Sequence, residues 1–419
     1  MNNLTINLTD LVLSFTTAMD SVSSELQNHN KRVCNMAVNI AYQMGLPEEE
    51  IFDILIASRL HDIGALSVTE QKLLTSLSYD TNYAHAAIGH KILSDFGYFK
   101  NIAEIILHHH RTWKNGTNKF DSMGSEIPMG SWIIHLADKI DFLVGRKEYP
   151  LYYKDVACEM ILKHNGKIFN PNVTEAFLTL ADKEYFWFDI NFQDTYLKHK
   201  ELINKYSKIL QGDSILDMGY TFSRIIDFRN KFTSTHSIGV ATTAEAISKV
   251  AGFDQNLCKK MKLAGFLHDL GKIVIPISIL EKDGPLTMEE RLVINSHTYY
   301  TFNILATVKG LEEINRWASY HHEKLDGTGY PFHLTGENLD TMSRIMMIAD
   351  IFTALREDRP YRNGMERQKV ENIINEWSNQ GKLDKDISDL LFANYKEIDD
   401  CRANAQYLAN NSYEQALKQ

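Results

Sequence analysis

Two adjacent imidazoles, His321 and His322, run into Glu323-Lys324-Leu325-Asp326-Gly327-Thr328-Gly329-Tyr330-Pro331, so metal-ligand side chains stand at the mouth of a glycine-bearing loop. Further back, His268 is followed at once by Asp269, and a carboxylate beside an imidazole can bridge two cations while the histidine binds one of them. With His236, His297 and Asp350, the second half of the chain offers five histidines and two aspartates. That mixture of nitrogen and oxygen donors suits iron, manganese, nickel or zinc, and it exceeds what one ion requires. Two ions about 3.5–4 Å apart can activate a bridging water and stabilise the oxygens of an in-line phosphoryl displacement. Lys272, one turn beyond His268, is placed to reach a phosphate.

The same residue types occur earlier in the same order. His29, His61 and Asp62 precede His236, His268 and Asp269 by 207 residues, since 236 − 29, 268 − 61 and 269 − 62 agree. His85, His109, His110 and Asp138 precede His297, His321, His322 and Asp350 by 212, a change accounted for by one five-residue loop difference. Gly166-Lys167 and Phe177 continue the register at an offset of 215. A lone histidine on an apolar face is more often a packing residue than a ligand, but seven matched ligand types in one order make coincidence a poor account. The chain therefore reads as two copies of one domain: residues 1–195, a helical connector over 196–212, and residues 213–419.

Helices must carry these side chains. Ile51, Ile54 and Ala57 recur at helical spacing and lead to His61, while Leu257, Met261 and Ala264 lead to His268. His29 shares a stripe with Val33, Ala37 and Ile40, and His236 with Val240, Ala244 and Ile247. Val293, His297, Tyr300 and Ile304 read as one face of a single helix, and Thr287 followed by Glu289-Glu290 reads as a helix start. The fold class expected is all-α. The aromatic run Tyr185-Phe186-Trp187-Phe188 is expected to be buried between domains.

Composition narrows the function classes. Lys plus Arg number 44 against 54 Asp plus Glu, a net charge of −10 that argues against broad electrostatic binding to nucleic-acid polymer or anionic membrane. The four cysteines form no CxxC pair, so neither a disulfide framework nor a thiolate zinc site is indicated. No apolar run reaches membrane-spanning length and the N-terminus has no secretory pattern, so a soluble, cytoplasmic protein is expected.

His236, His268-Asp269, Gly271-Lys272, Ile275-Pro276, Leu286 through Glu290, His297, the block from His321 to Pro331, Ala349-Asp350 and Arg359-Pro360-Tyr361-Arg362 together resemble HD-GYP phosphodiesterases. The resemblance covers nearly all of the second half. It implies an all-helical HD-type domain that hydrolyses a bacterial cyclic dinucleotide, a small-molecule partner, to a linear dinucleotide through a bimetal-activated hydroxide. By that resemblance His236, His268, Asp269 and Asp350 serve one metal and Asp269, His297, His321 and His322 the other, with iron or manganese favoured. Asp269 and Lys272 are the expected catalytic residues, and Lys272, Gly329, Tyr330, Pro331, Arg359 and Arg362 the expected substrate contacts. Family members with a third metal carry a glutamate four residues before the first histidine; here that position is Phe232, which favours two ions.

In the first half Glu25 does precede His29 by four residues, so Glu25, His29, His61, Asp62, His85, His109, His110 and Asp138 form a candidate second metal site. Ala65 stands in place of the lysine, however, and after His110 the chain reads Arg111-Thr112-Trp113-Lys114-Asn115-Gly116 with no Gly-Tyr-Pro. This half resembles an HD domain without the dinucleotide loop. A tandem of this kind is similar to Vibrio phosphodiesterases of 3′,3′-cyclic GMP-AMP, which makes that molecule the lead substrate and cyclic di-GMP its competitor. The alternatives are hydrolysis of linear nucleotides and a non-catalytic sensor of cyclic dinucleotide.

Overall fold

The computed structural model describes the chain apart from residues 2–3, 22–26, 66–83, 120, 122–123, 146, 193, 230–234, 283, 359–362 and 418–419, and the side chains of 412–417. Among the described residues the elements are all helices apart from one short ribbon, in which β1 (Thr5–Asn7) pairs antiparallel with β2 (Ile209–Gln211). Contacts divide it into two compact units, Phe15–Lys208 and Met1–Ser14 with Ile209–Gln419. The sequence reading counts residues 1–14 with the first copy, but β1 pairs with β2, Ile6 is fully buried and Ser14 donates a hydrogen bond to the Ile304 carbonyl. These contacts tie the stretch to the second unit. The boundary falls inside helix α1 (Leu8–Met19).

The unit Phe15–Lys208 contains α2 (His29–Gln43), α3 (Glu48–Leu60), α4 (Ala84–Ser94), α5 (Lys100–His108), α6 (Met129–Val144), α7 (Pro171–Ala181) and α8 (Glu184–Ile190). Val33, Ala37 and Ile40 on α2, with Leu55 and Ala57 on α3, are fully buried, the Val33, Ile40 and Leu55 side chains each contributing roughly 1.5–3 kcal/mol. The aromatic run packs inside one unit and not between domains as expected. Phe186 and Trp187 are buried within this unit against Phe177, with the Trp187 indole donating to the Ala181 carbonyl, while Tyr185 and Phe188 are exposed.

The other unit holds α9 (Ser214–Phe228), α10 (His236–Val250), α11 (Gln255–Leu267), α12 (Met288–Asn295), α13 (His297–Ala306), α14 (Glu312–Ser319), α15 (Thr341–Arg356) and α16 (Tyr395–Leu417). Capping side chains set several starts: Asp254 accepts from the Leu257 amide, Asp340 from Ser343, and Thr287 with Glu290 forms a reciprocal capping box. The single helix expected through Val293 and His297 is instead two, broken at Ser296, whose hydroxyl donates to the Val293 carbonyl. That local bond competes with helix continuation.

Candidate metal centres

Helix ends place most of the imidazoles. The last-turn carbonyls of an α-helix lack intrahelical donors, and the Nδ1–H of a histidine just past the helix can supply one. His61 donates to Ser58 O (2.9 Å), His109 to Ile106 O (2.6 Å), His268 to Gly265 O (2.8 Å), His297 to Ile294 O (2.7 Å) and His321 to Ala318 O (2.6 Å). With Nδ1 committed to a carbonyl, each Nε2 lone pair is left for the pocket, the tautomer a metal ligand needs.

In the second half these nitrogens converge with two carboxylates. Asp269 Oδ2 is 3.2 Å from His268 Nε2, and its Oδ1 is 3.3 Å from His297 Nε2, so the carboxylate spans two imidazoles. Asp350 Oδ1 is 3.1 Å from His236 Nε2 and 3.9 Å from His268 Nε2, while its Oδ2 is 3.7 Å from His322 Nδ1. His297 and His321 face each other Nε2 to Nε2 at 3.2 Å. All seven expected residues are brought together.

The first half repeats the scheme. Asp62 Oδ2 lies 3.3 Å from both His29 Nε2 and His61 Nε2, and Oδ1 lies 3.4 Å from His85 Nε2. His29 and His61 meet at 3.2 Å between Nε2 atoms, and His85 and His110 at 3.0 Å. Asp138 Oδ1 is 3.6 Å from His29, and His109 is grouped with Asp62, His85 and His110.

The donor atoms fit metal ions. Imidazole nitrogens whose other nitrogen already donates face one another with lone pairs, an arrangement that a cation between them reconciles. Buried His268 Nε2 and His109 Nε2 make no hydrogen bond. Burial alone would raise the Asp269 carboxyl, but His268 and Lys272 beside it hold it well below the usual carboxylate range. Asp350 is likewise low: burial opposes ionisation, and the His236 hydrogen bond and His322 outweigh it. Burial pulls His297 down to about 3 and, with His322 adjacent, His321 well below its ordinary value. Ionised carboxylates and neutral imidazoles are the forms that bind a metal.

Lys272 Nζ stands 2.5 Å from Asp269 Oδ2, in a turn held against α13: the Thr301 hydroxyl donates to the His268 carbonyl and accepts from the Gly271 amide. In the following loop the Tyr330 amide donates to the His322 carbonyl, its ring centroid lies 5.0 Å from that of His322, and half-buried Pro331 continues from it. Gly329 is buried against the Glu323 backbone. Buried Glu323 accepts the Phe332 and Leu334 amides at 2.8 and 2.9 Å, fastening the loop beside the site. Glu25, Phe232, Arg359 and Arg362 lie outside the described residues.

Three features escape the sequence reading. Buried Lys139 Nζ is 3.1 Å from Asp138 Oδ2, so the first half has an ammonium at its site although Ala65 replaces the lysine. Asp20 and Asp227 stand 207 residues apart and accept the amides of Asn30 and Ser237, each the residue after the first histidine; extending the repeat arithmetic to carboxylates would have found them. Asp141 and Glu357 take the Nδ1 of His29 and His236 at 2.7 and 3.0 Å, and no common offset links them.

A family description of an HD domain matches residues 15–173 and again 220–387. The chain is 30% identical over 401 residues to the 3′3′-cGAMP-specific phosphodiesterase 1 of Vibrio cholerae, covering 94% of this chain and 93% of that protein. It is 31% identical over 150 residues, 36% of each chain, to a cyclic di-GMP phosphodiesterase of Pseudomonas aeruginosa. The crystal structure of a cyclic GMP-AMP specific phosphodiesterase of V. cholerae superposes with a TM-score of 0.61 at 22% identity, covering 94% of this chain and 98% of the other, which shows a shared fold.

Proposed function

The chain belongs to the HD domain family, and on that premise we propose that it is a metal-dependent phosphodiesterase whose second half opens a cyclic dinucleotide, 3′,3′-cyclic GMP-AMP ahead of cyclic di-GMP. The observation that carries the reading is the pair of imidazole–carboxylate clusters spanned by Asp269 and joined to the His321–Pro331 loop. The similarity over nearly the full length to a 3′3′-cGAMP-specific relative supports the order of substrates.

Two divalent ions, iron or manganese, held by His236, His268, Asp269, His297, His321, His322 and Asp350, would supply Lewis acidity and lower the pKa of water near the phosphodiester. The chain's own groups do the rest. Asp269 points one oxygen toward each imidazole set and so holds both at a fixed separation. Lys272 is kept protonated: burial opposes its charge, but Asp269 beside it raises it, leaving an ammonium to offset charge on the phosphoryl oxygens. Tyr330, Gly329 and Pro331 form the wall against which the nucleotide lies, and Arg359 and Arg362 are assigned to phosphate contact.

The first half, the unit Phe15–Lys208, would hold a metal without the dinucleotide loop, and the phosphodiesterase unit is Ile209–Gln419 with Met1–Ser14. Chromatography of the products of 3′,3′-cyclic GMP-AMP and of cyclic di-GMP, under anaerobic iron and then manganese, tests the assignment. His268→Ala with Asp269→Ala abolishes ring opening, whereas His61→Ala with Asp62→Ala leaves it largely intact. Ring opening that survives the first pair and is lost in the second moves the chemistry to the first half.

A further inference from the structure

Each half presents the Nδ1 of its first histidine to a buried carboxylate, but the two carboxylates do not occupy matching positions. In the first half Asp141 lies three residues after Asp138 on α6 and receives His29 Nδ1 at 2.7 Å. The residue at the same register in the second half, 212 positions on, is Thr353, whose hydroxyl meets that of Thr243 at 3.2 Å. His236 instead meets Glu357 at 3.0 Å, seven residues after Asp350. Glu357 caps the end of α15, and its amide still donates to the Thr353 carbonyl at 3.0 Å, so it stands one turn beyond Thr353. The extra methylene of glutamate helps span that turn.

Two neighbouring changes accompany the move. Arg32 binds Asp141 through Nε at 2.5 Å and a terminal nitrogen at 3.0 Å, and its counterpart 207 residues on is Gly239. A Cβ at Gly239 would stand 2.7 Å from Gln406 Nε2 and 2.8 Å from Thr353 Cγ2, so the space left by a side chain there is filled from α16. Gln406 Nε2 lies 3.2 Å from Thr235 O and 3.5 Å from Glu357 Oε2. Aspartate, arginine and their surroundings have all changed, yet the outcome at the histidine is the same: Nδ1 on a carboxylate, Nε2 toward the site.

We infer that Glu357 is the positioning residue of His236, a carboxylate relocated by one helical turn from the place that Asp141 keeps in the first half. A buried acid retained only for packing would have no reason to reappear at the same ring nitrogen from another position. A carboxylate on the far nitrogen of a ligating imidazole fixes its tautomer and ring plane and raises its basicity. The inference rests on the second-half metal site proposed above. It assigns Glu357 no contact with substrate.

The test uses the full chain, stripped of metal and titrated with manganese, as wild type, Glu357→Ala and the double variant Thr353→Asp/Glu357→Ala. The first-half ligands are unchanged in all three, so differences report the second half. Glu357→Ala weakens manganese binding by roughly 10–100-fold, and excess manganese recovers turnover, which it would not do for a purely structural lesion. Moving the carboxylate back to position 353 restores at least about tenfold of that affinity. If Glu357→Ala does not fold, Glu357→Gln, which keeps the shape and removes the charge, is read instead and shifts affinity in the same direction. Manganese affinity within about twofold of wild type in the single variant, or a folded double variant without recovery, overturns the inference. Glu357-dependent binding in a wild type that leaves both dinucleotides intact upholds the inference and refutes the proposed function, so the two fail separately.

Discussion

Replacing Gly271 by alanine adds one methyl group at the place where the turn carrying His268, Asp269 and Lys272 meets the helix that begins at His297. A Cβ there would stand 1.9 Å from His297 O and 2.5 Å from the Thr301 amide nitrogen, both backbone atoms. Relieving the shorter contact to the 3.0 Å floor of real Cβ contacts requires at least 1.1 Å of separation between turn and helix. Neither side can yield by rotating a side chain, and each carries expected metal ligands. Overpacking of this kind costs roughly 1–3 kcal/mol of stability, and a 1 Å displacement of a reacting geometry costs on the order of 100-fold in rate. The expected result for Gly271→Ala is therefore a folded but less stable protein with turnover of 3′,3′-cyclic GMP-AMP down about 100-fold, or about 2.7 kcal/mol. Gly64 is the internal control, since its Cβ would meet His85 O at 2.1 Å and Gly89 N at 2.6 Å in the first half. Gly64→Ala should lower stability comparably and leave ring opening within about threefold of wild type. Turnover is measured at saturating metal, with metal content and unfolding midpoints taken on the same samples. A Gly271→Ala protein that keeps full metal content and turnover within about threefold refutes the claim that this contact sets the ligand geometry.

Further expectations follow from buried groups. Glu323→Gln removes the charge that accepts the Phe332 and Leu334 amides, and one of the two bonds then faces an amide NH2. A lost bond to a buried charge is worth about 1.5–3 kcal/mol, so steady-state kinetics should show a raised KM with metal content unchanged; an unaltered KM would separate the loop from substrate binding. His199 is buried, and burial followed by the Lys198 charge lowers its pKa to about 4. Its folded pKa lies below the unfolded value near 6.5, so its contribution to stability is complete above that pH and is lost as pH falls toward 4, by up to about 1.4 kcal/mol per pH unit. Urea midpoints between pH 7 and 5 should fall less steeply for His199→Gln than for wild type; equal slopes would mean the imidazole is not held neutral.

The candidate ligand set was legible in the chain because ligand chemistry constrains residue type and order directly. An imidazole or carboxylate cannot be exchanged for another group without losing a donor, so seven types persist at two offsets and stand out against a changed background. The helical class was legible for a related reason: periodic burial is a local pattern, visible along α2, α3, α10 and α11. Even the helix start at Thr287 could be read, since a capping box closes within four residues.

What only the tertiary structure decided are relations between segments that no local pattern encodes. The break at Ser296 depends on a hydroxyl choosing the Val293 carbonyl over solvent, and Val293 and Ile304 still look like one stripe in the chain. The placement of residues 1–14 with the second unit depends on β1 finding β2 about 200 residues away. Lys139 supplies an ammonium beside Asp138 although nothing in its spacing matches Lys272. Asp141 and Glu357 illustrate the limit most directly. Repeat arithmetic pairs Asp141 with Thr353 and passes over Glu357, because it compares positions, whereas the histidine responds only to where a carboxylate oxygen arrives in space.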